Sequence, residues 1–198
     1  MSGLQIEVVR PQDLTPARLA RWSALQAAQG PDFDSPFLSP HWARAVERAQ
    51  GRAAGDDRGV RAAVVRQGEA DVAFLPVQVA GLPALPAGAP LCDYQGLVAA
   101  PGLEISARDL VAALGVQRLD FCHMQAASQP FAAFGRGSDR SQVVSLAHGY
   151  EAYAAERRAA GVGLLKDCDK KRRKVEREAG PVVFTPFSRA GADFDQLV

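Results

Sequence analysis

Lysine is scarce in this chain. Only four of its 23 basic residues are lysine, and the other 19 are arginine. The four (Lys166, Lys170, Lys171 and Lys174) fall within one short segment, which therefore needs its own account. An excess of either charge is lacking too: 23 Lys and Arg stand against 22 Asp and Glu, a net charge of +1. That balance excludes a globally basic nucleic-acid binder and an acidic disordered tail. No apolar run approaches the roughly 20 residues of a membrane helix. Residues 1–7 have neither the basic nor the apolar region of a signal peptide. Cysteine is limited to Cys92, Cys122 and Cys168, odd in number, far apart and without C-x-x-C. This argues against a disulfide framework or a structural zinc site, and for a reducing cytoplasm. Neither G-x-S-x-G nor H-E-x-x-H occurs, and His41, His123 and His148 are scattered, so no catalytic or metal motif is legible.

What is present suffices for a folded core. With 47% hydrophobic residues over 198 positions, one domain is expected, or one plus part of another. Alternating Leu4, Ile6 and Val8 predict a strand over residues 4–9. Thr15 followed by Pro16 predicts a helix start, with Leu14 and Leu19 as its staple and Gly30-Pro31 as its end. Ser39-Pro40 opens a second helix with Trp42, Val46 and Ala49 on one face. Residues 60–66 and 70–79 read as a β-hairpin, and Pro76 predicts an edge or a bulge within the second strand. Residues 82–90, with three prolines, read as a loop. Further strands are expected at 91–98, 117–122, 142–146 and 181–187. A helix capped by Ser106 should run to Leu114. From Gly149 the chain reads as helical to Ala179, broken at Gly161–Gly163. Residues 194–198 begin a helix without a cap, the mark of a truncated element.

Four places could carry chemistry. Cys122-His123 is an adjacent pair at a strand end, where neighbours point to opposite faces, so a direct couple is not expected. Arg158-Ala159-Ala160-Gly161-Val162-Gly163 matches the R/Q-x-x-G-x-G/A pattern of acyl-CoA loops, which hold a pyrophosphate on helix N–H groups. Such a loop should follow a strand, however, and residues 150–160 read as helix; a helix–helix joint is the simpler account. On a helical wheel Lys166, Lys170, Arg173, Lys174 and Arg177 share one side, opposite Leu164, Leu165, Cys168, Val175 and Ala179. Asp167 with Lys171 and Asp169 with Arg173 are candidate i,i+4 pairs. That cationic face is either simply solvated or a contact for an anionic ligand. Asp93-Tyr94-Gln95-Gly96 is a polar cluster in an apolar strand, and is either a hydrogen-bonded turn or bulge, or a ligand contact.

Several stretches, in this order, carry a family likeness. They are Ser35-Pro36-Phe37-Leu38-Ser39-Pro40-His41-Trp42, Gly68-Glu69 before Ala73-Phe74-Leu75-Pro76-Val77-Gln78, Asp93-Tyr94-Gln95-Gly96-Leu97, and Leu119-Asp120-Phe121. Then come His148-Gly149-Tyr150-Glu151-Ala152-Tyr153, Arg157-Arg158-Ala159-Ala160-Gly161, and the charged run from Lys166-Asp167 through Lys171-Arg172-Arg173-Lys174 to Gly180-Pro181. Together they resemble the cellulose-biosynthesis (CelD-like) acetyltransferases of the GNAT superfamily, over nearly the whole chain. The resemblance implies an α/β (α+β) fold. A GNAT-like mixed sheet flanked by helices would occupy residues 1–147, a helical connector 148–180, and the start of a second GNAT-like half 181–198. GNAT-like sheets open to admit a ligand, and Pro76 marks where this one would do so.

The resemblance further implies transfer of an acetyl or acyl group to an amine or hydroxyl, in exopolysaccharide or cell-envelope synthesis. Acetyl-CoA or another acyl-CoA would be the co-substrate of the complete enzyme. Its site and the catalytic residues would belong to the downstream half, so no catalytic residue, bound cofactor or metal is assigned to this chain. The expected partners are a small-molecule or glycan acceptor and that second half, with no nucleic acid and no membrane span. The first half would shape the acceptor site, with Asp93, Tyr94, Gln95 and His123 as candidates. The alternative is a non-catalytic module that binds an anionic glycan or nucleotide through Lys166, Lys170, Arg173 and Arg177.

Overall fold

The computed structural model describes residues 3–50 and 58–184. The chain divides into two compact units, Met1–Ser138 and Asp139–Val198. In the first, the Leu4, Ile6 and Val8 alternation forms β1 (Leu4–Val9) and turns those side chains toward a core. In α1 (Pro16–Ala28) Thr15 Oγ1 accepts the Arg18 N–H at 3.3 Å, and Pro16 sits where no N–H is needed. Leu14 and Leu19 meet in one cluster, closing the staple. α2 (Pro40–Gln50) opens on Ser39, whose Oγ accepts the Trp42 N–H at 3.1 Å. Its inner face differs from the expected one: Ala43 and Glu47 are buried, Trp42 and Val46 half-buried, and Ala49 exposed. Glu47 tolerates burial because its carboxylate is satisfied, by Arg10 Nε on Oε1 and by the Gln12 N–H on Oε2 at 2.9 Å.

β2 (Gly59–Gln67) and β3 (Ala70–Val79) form the hairpin, turning at Gly68, whose φ of 60° suits glycine. Both strands read as nearly continuous apolar runs because both faces of the sheet are covered. On one face Ala63, Val65, Ala73, Leu75 and Val77 join Leu110 of α3 (Ala107–Ala113) and Phe131 of α4 (Gln129–Ala132). On the other, Ala62, Val64 and Phe74 meet Trp22, Leu25 and Ala43 from α1 and α2. Trp22 stacks on Phe74 with ring centroids 4.9 Å apart, and its Nε1 donates to Leu38 O at 2.9 Å.

β4 (Pro83–Pro86), β5 (Val98–Ala99) and β6 (Arg118–Leu119) complete a six-stranded sheet of order β1-β2-β3-β4-β6, with β5 also on β3. Only the β4–β6 pairing is parallel, so the unit is a mixed α/β domain. Against β2 the ladder runs through Pro76, which sits opposite Ala62; the register slips instead between Val65 and Arg66. The expected bulge is therefore not at the proline. The other edge of β3 does part there. β5 pairs with Ala73 and Phe74, and β4 with Val77–Val79, leaving Leu75 and Pro76 between them. Pro76 O accepts the Ala87 N–H at 3.3 Å. The N and O of a residue in an antiparallel strand face the same neighbour, so the missing N–H faces this opening and costs no bond to β2.

Other elements depart from expectation. The proline-rich loop contains β4, whose Ala84 O accepts from Asp120 N at 3.0 Å. The strand expected at 91–98 reduces to β5, and that at 117–122 to β6. Residues 142–146 form no strand; Val143, Val144 and Leu146 are exposed, and apolar β-formers without a partner edge have no ladder to join. α4 was not signalled in the sequence.

The second unit holds α5 (Gly149–Ala159) and α6 (Leu164–Ala179), joined through Gly161. Arg158 Nη2 bonds Asp169 Oδ2 across the joint at 3.3 Å. Ala154 is the one buried residue of these two helices. The periodicity of α6 predicts a packed side at Leu165, Cys168 and Val175, yet only Leu165 is half-buried and the other two are exposed. Residues 181–184 form no strand; 185–187 and 194–198 lie outside the described residues.

Candidate functional site

The opening at Leu75–Pro76 is where chemistry-bearing residues gather. A cavity of about 10 Å³, room for roughly one water, lies there between Phe37, Pro76, Ala87, Tyr94, Gly96 and Met124. Segment 92–97 reaches it as irregular chain. Gly96 is required by proximity: a Cβ there would stand 2.7 Å from Ser128 Oγ. That same hydroxyl accepts the Leu97 N–H at 3.2 Å.

Gln95 holds the segment in place. Its N–H donates to His123 O at 3.0 Å and its O accepts the Gln125 N–H at 2.7 Å, a bridge that pairs it with Met124. Its side chain is buried at 2% exposure. Gln95 Oε1 accepts the N–H groups of Cys122 and His123, both at 3.1 Å. Gln95 Nε2 faces Cys92 O at 3.3 Å, Cys92 Sγ at 3.5 Å and Cys122 Sγ at 3.6 Å. The amide is thus saturated from within the protein, as a buried polar group must be. Of the two accounts open for this cluster, a hydrogen-bonded irregularity describes the Gln95 side chain.

The remaining candidates divide. His123 is exposed and adjoins Gln95. Tyr94 is half-buried on the cavity wall, and Asp93 is exposed. Cys122 corrects the sequence reading. Its Sγ lies 3.1 Å from His123 Nδ1, because residues 122–123 form a bend beyond β6, where the alternation of a strand no longer applies. Cys92 is buried at 2% exposure, and that burial pushes its thiol above the ordinary value. The proximity of Cys92 to Cys122 is not legible in the sequence, because nothing in their spacing announces a pairing. The Gln95–Met124 bridge brings them together.

A second concavity, about 380 Å³, runs between α3, β6 and α4, with Val111, Phe121, Phe131 and Phe134 on its walls. Arg108 and Arg118 border it, and Arg118 is paired with Asp120 at 3.0 Å.

In the other unit, Lys166, Lys170, Arg173 and Arg177 are all exposed along α6. The expected Asp169–Arg173 ion pair is replaced: the Asp169 carboxylate bonds Arg158, and Arg173 Nε donates to the Asp169 carbonyl at 3.3 Å. Among the described residues Asp167 and Lys171 form no ion pair, and an i,i+4 pair on α6 joins Arg172 to Glu176 at 3.4 Å. Arg158 lies in the last turn of α5 and Gly161 and Gly163 in its joint to α6, so a helix and not a strand directly precedes the glycines.

Among the described residues no group of three or more His, Cys, Asp or Glu converges to hold a metal ion, and no helix is long and apolar enough to cross a membrane. Comparison with known proteins returned nothing: no family model, no curated protein and no solved structure matches the chain.

Proposed function

We propose that residues 3–138 are the acceptor-shaping half of a GNAT-type acyltransferase, which moves an acyl group from acyl-CoA to an amine or hydroxyl in exopolysaccharide or envelope synthesis. The observation that carries this reading is the parting of β4 and β5 at Leu75–Pro76, with Tyr94 on the wall of the opening and His123 tied to the adjoining segment through Gln95. An acceptor needs a polar handle and a base within reach of its proton, and the water-sized cavity at this opening must widen to admit one. The Tyr94 hydroxyl and the His123 imidazole are groups of those kinds. Acyl-CoA and the transfer step itself belong to a further half of the enzyme in this reading.

The test is binding rather than turnover. Chemical-shift perturbation by a panel of amino sugars and simple amines should center on Tyr94, Gly96 and His123, and Tyr94→Phe should weaken it. Thiol release from acetyl-CoA by this chain alone should stay at background. Robust turnover abolished by Gly163→Trp would overturn the reading and return the acyl-CoA site to Gly161–Gly163. The alternative, a module for anionic glycans or nucleotides, draws on α6, where Lys166, Lys170 and Arg177 are exposed and carry no ion pair among the described residues. Perturbation by a sulfated glycan confined to α6, with none around Tyr94, would favour it.

A further inference from the structure

Three thiols are present, and their surroundings differ. Cys168 is exposed on α6, and no hydrogen bond reaches its sulfur from the described residues. Cys122 is also exposed, but its Sγ lies between His123 Nδ1 at 3.1 Å and Gln95 Nε2 at 3.6 Å. Cys92 Sγ touches the same Gln95 nitrogen at 3.5 Å from the buried side. One amide nitrogen therefore contacts both sulfurs, which can lie no farther apart than those two legs laid end to end. An outer thiol beside an imidazole and an inner thiol behind it have the arrangement of an attacking and a resolving cysteine.

We propose that Cys122 is a peroxide-reactive thiol and that Cys92 resolves it into an intramolecular disulfide. Cys122 Sγ attacks one oxygen of a hydroperoxide ROOH, and the O–O bond breaks. His123 Nδ1 receives the thiol proton as the sulfur attacks and passes it to the departing alkoxide, leaving Cys122–SOH and ROH. Cys92 Sγ then attacks the sulfenic sulfur; the S–O bond breaks, and hydroxide leaves with the Cys92 proton as water. Two thiols have lost two electrons, and the peroxide has gained them. Burial keeps Cys92 away from bulk oxidant, which leaves the first step to the exposed Cys122. Closing the bond to about 2.05 Å changes the surroundings of the Gln95 amide nitrogen, which contacts both sulfurs.

The experiment uses the whole chain, hydrogen peroxide and peptide mass mapping without reductant, with Cys168 as the internal comparator. The expected result is a Cys92–Cys122 disulfide within one chain, with Cys122 consumed on the order of tenfold faster than Cys168. Cys92→Ala should leave Cys122 as a sulfenic acid that dimedone captures. His123→Ala, with its circular dichroism unchanged, should slow Cys122 to the rate of Cys168. Equal rates for Cys122 and Cys168 in the parent would overturn the proposal. So would a parent that gives as much dimedone adduct as Cys92→Ala, or a Cys122 that pairs with another chain or with Cys168 in place of Cys92.

Discussion

In the first unit Trp22, Phe74 and Val64 are 0% exposed, whereas in the second Val143, Leu164 and Val175 are 77%, 67% and 48% exposed. Both units carry clear apolar patterning, so patterning alone does not separate them. What differs is the supply of partners. β2 and β3 have helices on both faces, and each apolar residue finds neighbours whichever way it points. α6 has α5 alongside, and Leu164, Cys168 and Val175 of its apolar side are exposed. Periodicity tells which face of an element is apolar; only the other elements decide whether that face is covered.

The contrast can be broken at its strongest point. Phe74→Ala removes the ring stacked on Trp22 and should cost about 3–5 kcal/mol. Urea unfolding followed by tryptophan fluorescence would read it, because Trp22 and Trp42 are both in the first unit. Val175→Ala should leave the unfolding midpoint seen by circular dichroism unchanged; a loss as large as that of Phe74→Ala would erase the distinction between the units.

Gln95→Leu comes next. It deprives the Cys122 and His123 N–H groups of their acceptor and should cost about 1–3 kcal/mol. Faster amide exchange at those two positions, with the β2–β3 core still protected, would place the loss at the clamp. Smaller again is a pH effect from Cys92. Burial holds its folded thiol above the ordinary value of 9.0, so the unfolded chain gives up the proton first. Its contribution is intact below that value and declines as pH climbs past it. Urea midpoints at about pH 8 and about pH 10 should fall further for the parent than for Cys92→Ala. A slope unaltered by the substitution would show that burial does not act on this thiol. The smallest change is expected from Lys170→Gln with Arg173→Gln, since exposed charges contribute only ~0–1 kcal/mol each. If α6 meets an anion, heparin binding and its salt dependence should weaken in that variant while the midpoint holds.

Local signals are legible in the sequence. Thr15-Pro16, Ser39-Pro40 and Ser106 each placed a helix start, because a cap is a contact within three residues. Elements that depend on distant chain are not legible. β4 exists because Val77–Val79 and Arg118–Leu119 offer edges on either side, which no reading of its prolines could reveal. Residues 142–146 had the right composition and found no edge. The candidate site was half legible. Asp93, Tyr94 and Gln95 stand out as a polar cluster in an apolar strand and His123 as the neighbour of Cys122 at a strand end, and Gln95 and His123 do meet. The sulfur of Cys122 against His123 was hidden, because it depends on a bend that the apolar pattern of residues 117–122 masked.

Pro76 bears on what can attach to the sheet from outside. An unpaired stretch of strand edge ordinarily invites another extended chain, whether a peptide ligand or a misfolded neighbour, to add itself by backbone hydrogen bonds. At Leu75–Pro76 that invitation is withdrawn: the proline has no donor to give, and Ala87 already occupies its carbonyl. The gap between β4 and β5 can stay open without becoming adhesive. Whatever enters must be recognised by its shape and side-chain chemistry, because the backbone of Pro76 offers it nothing to pair with.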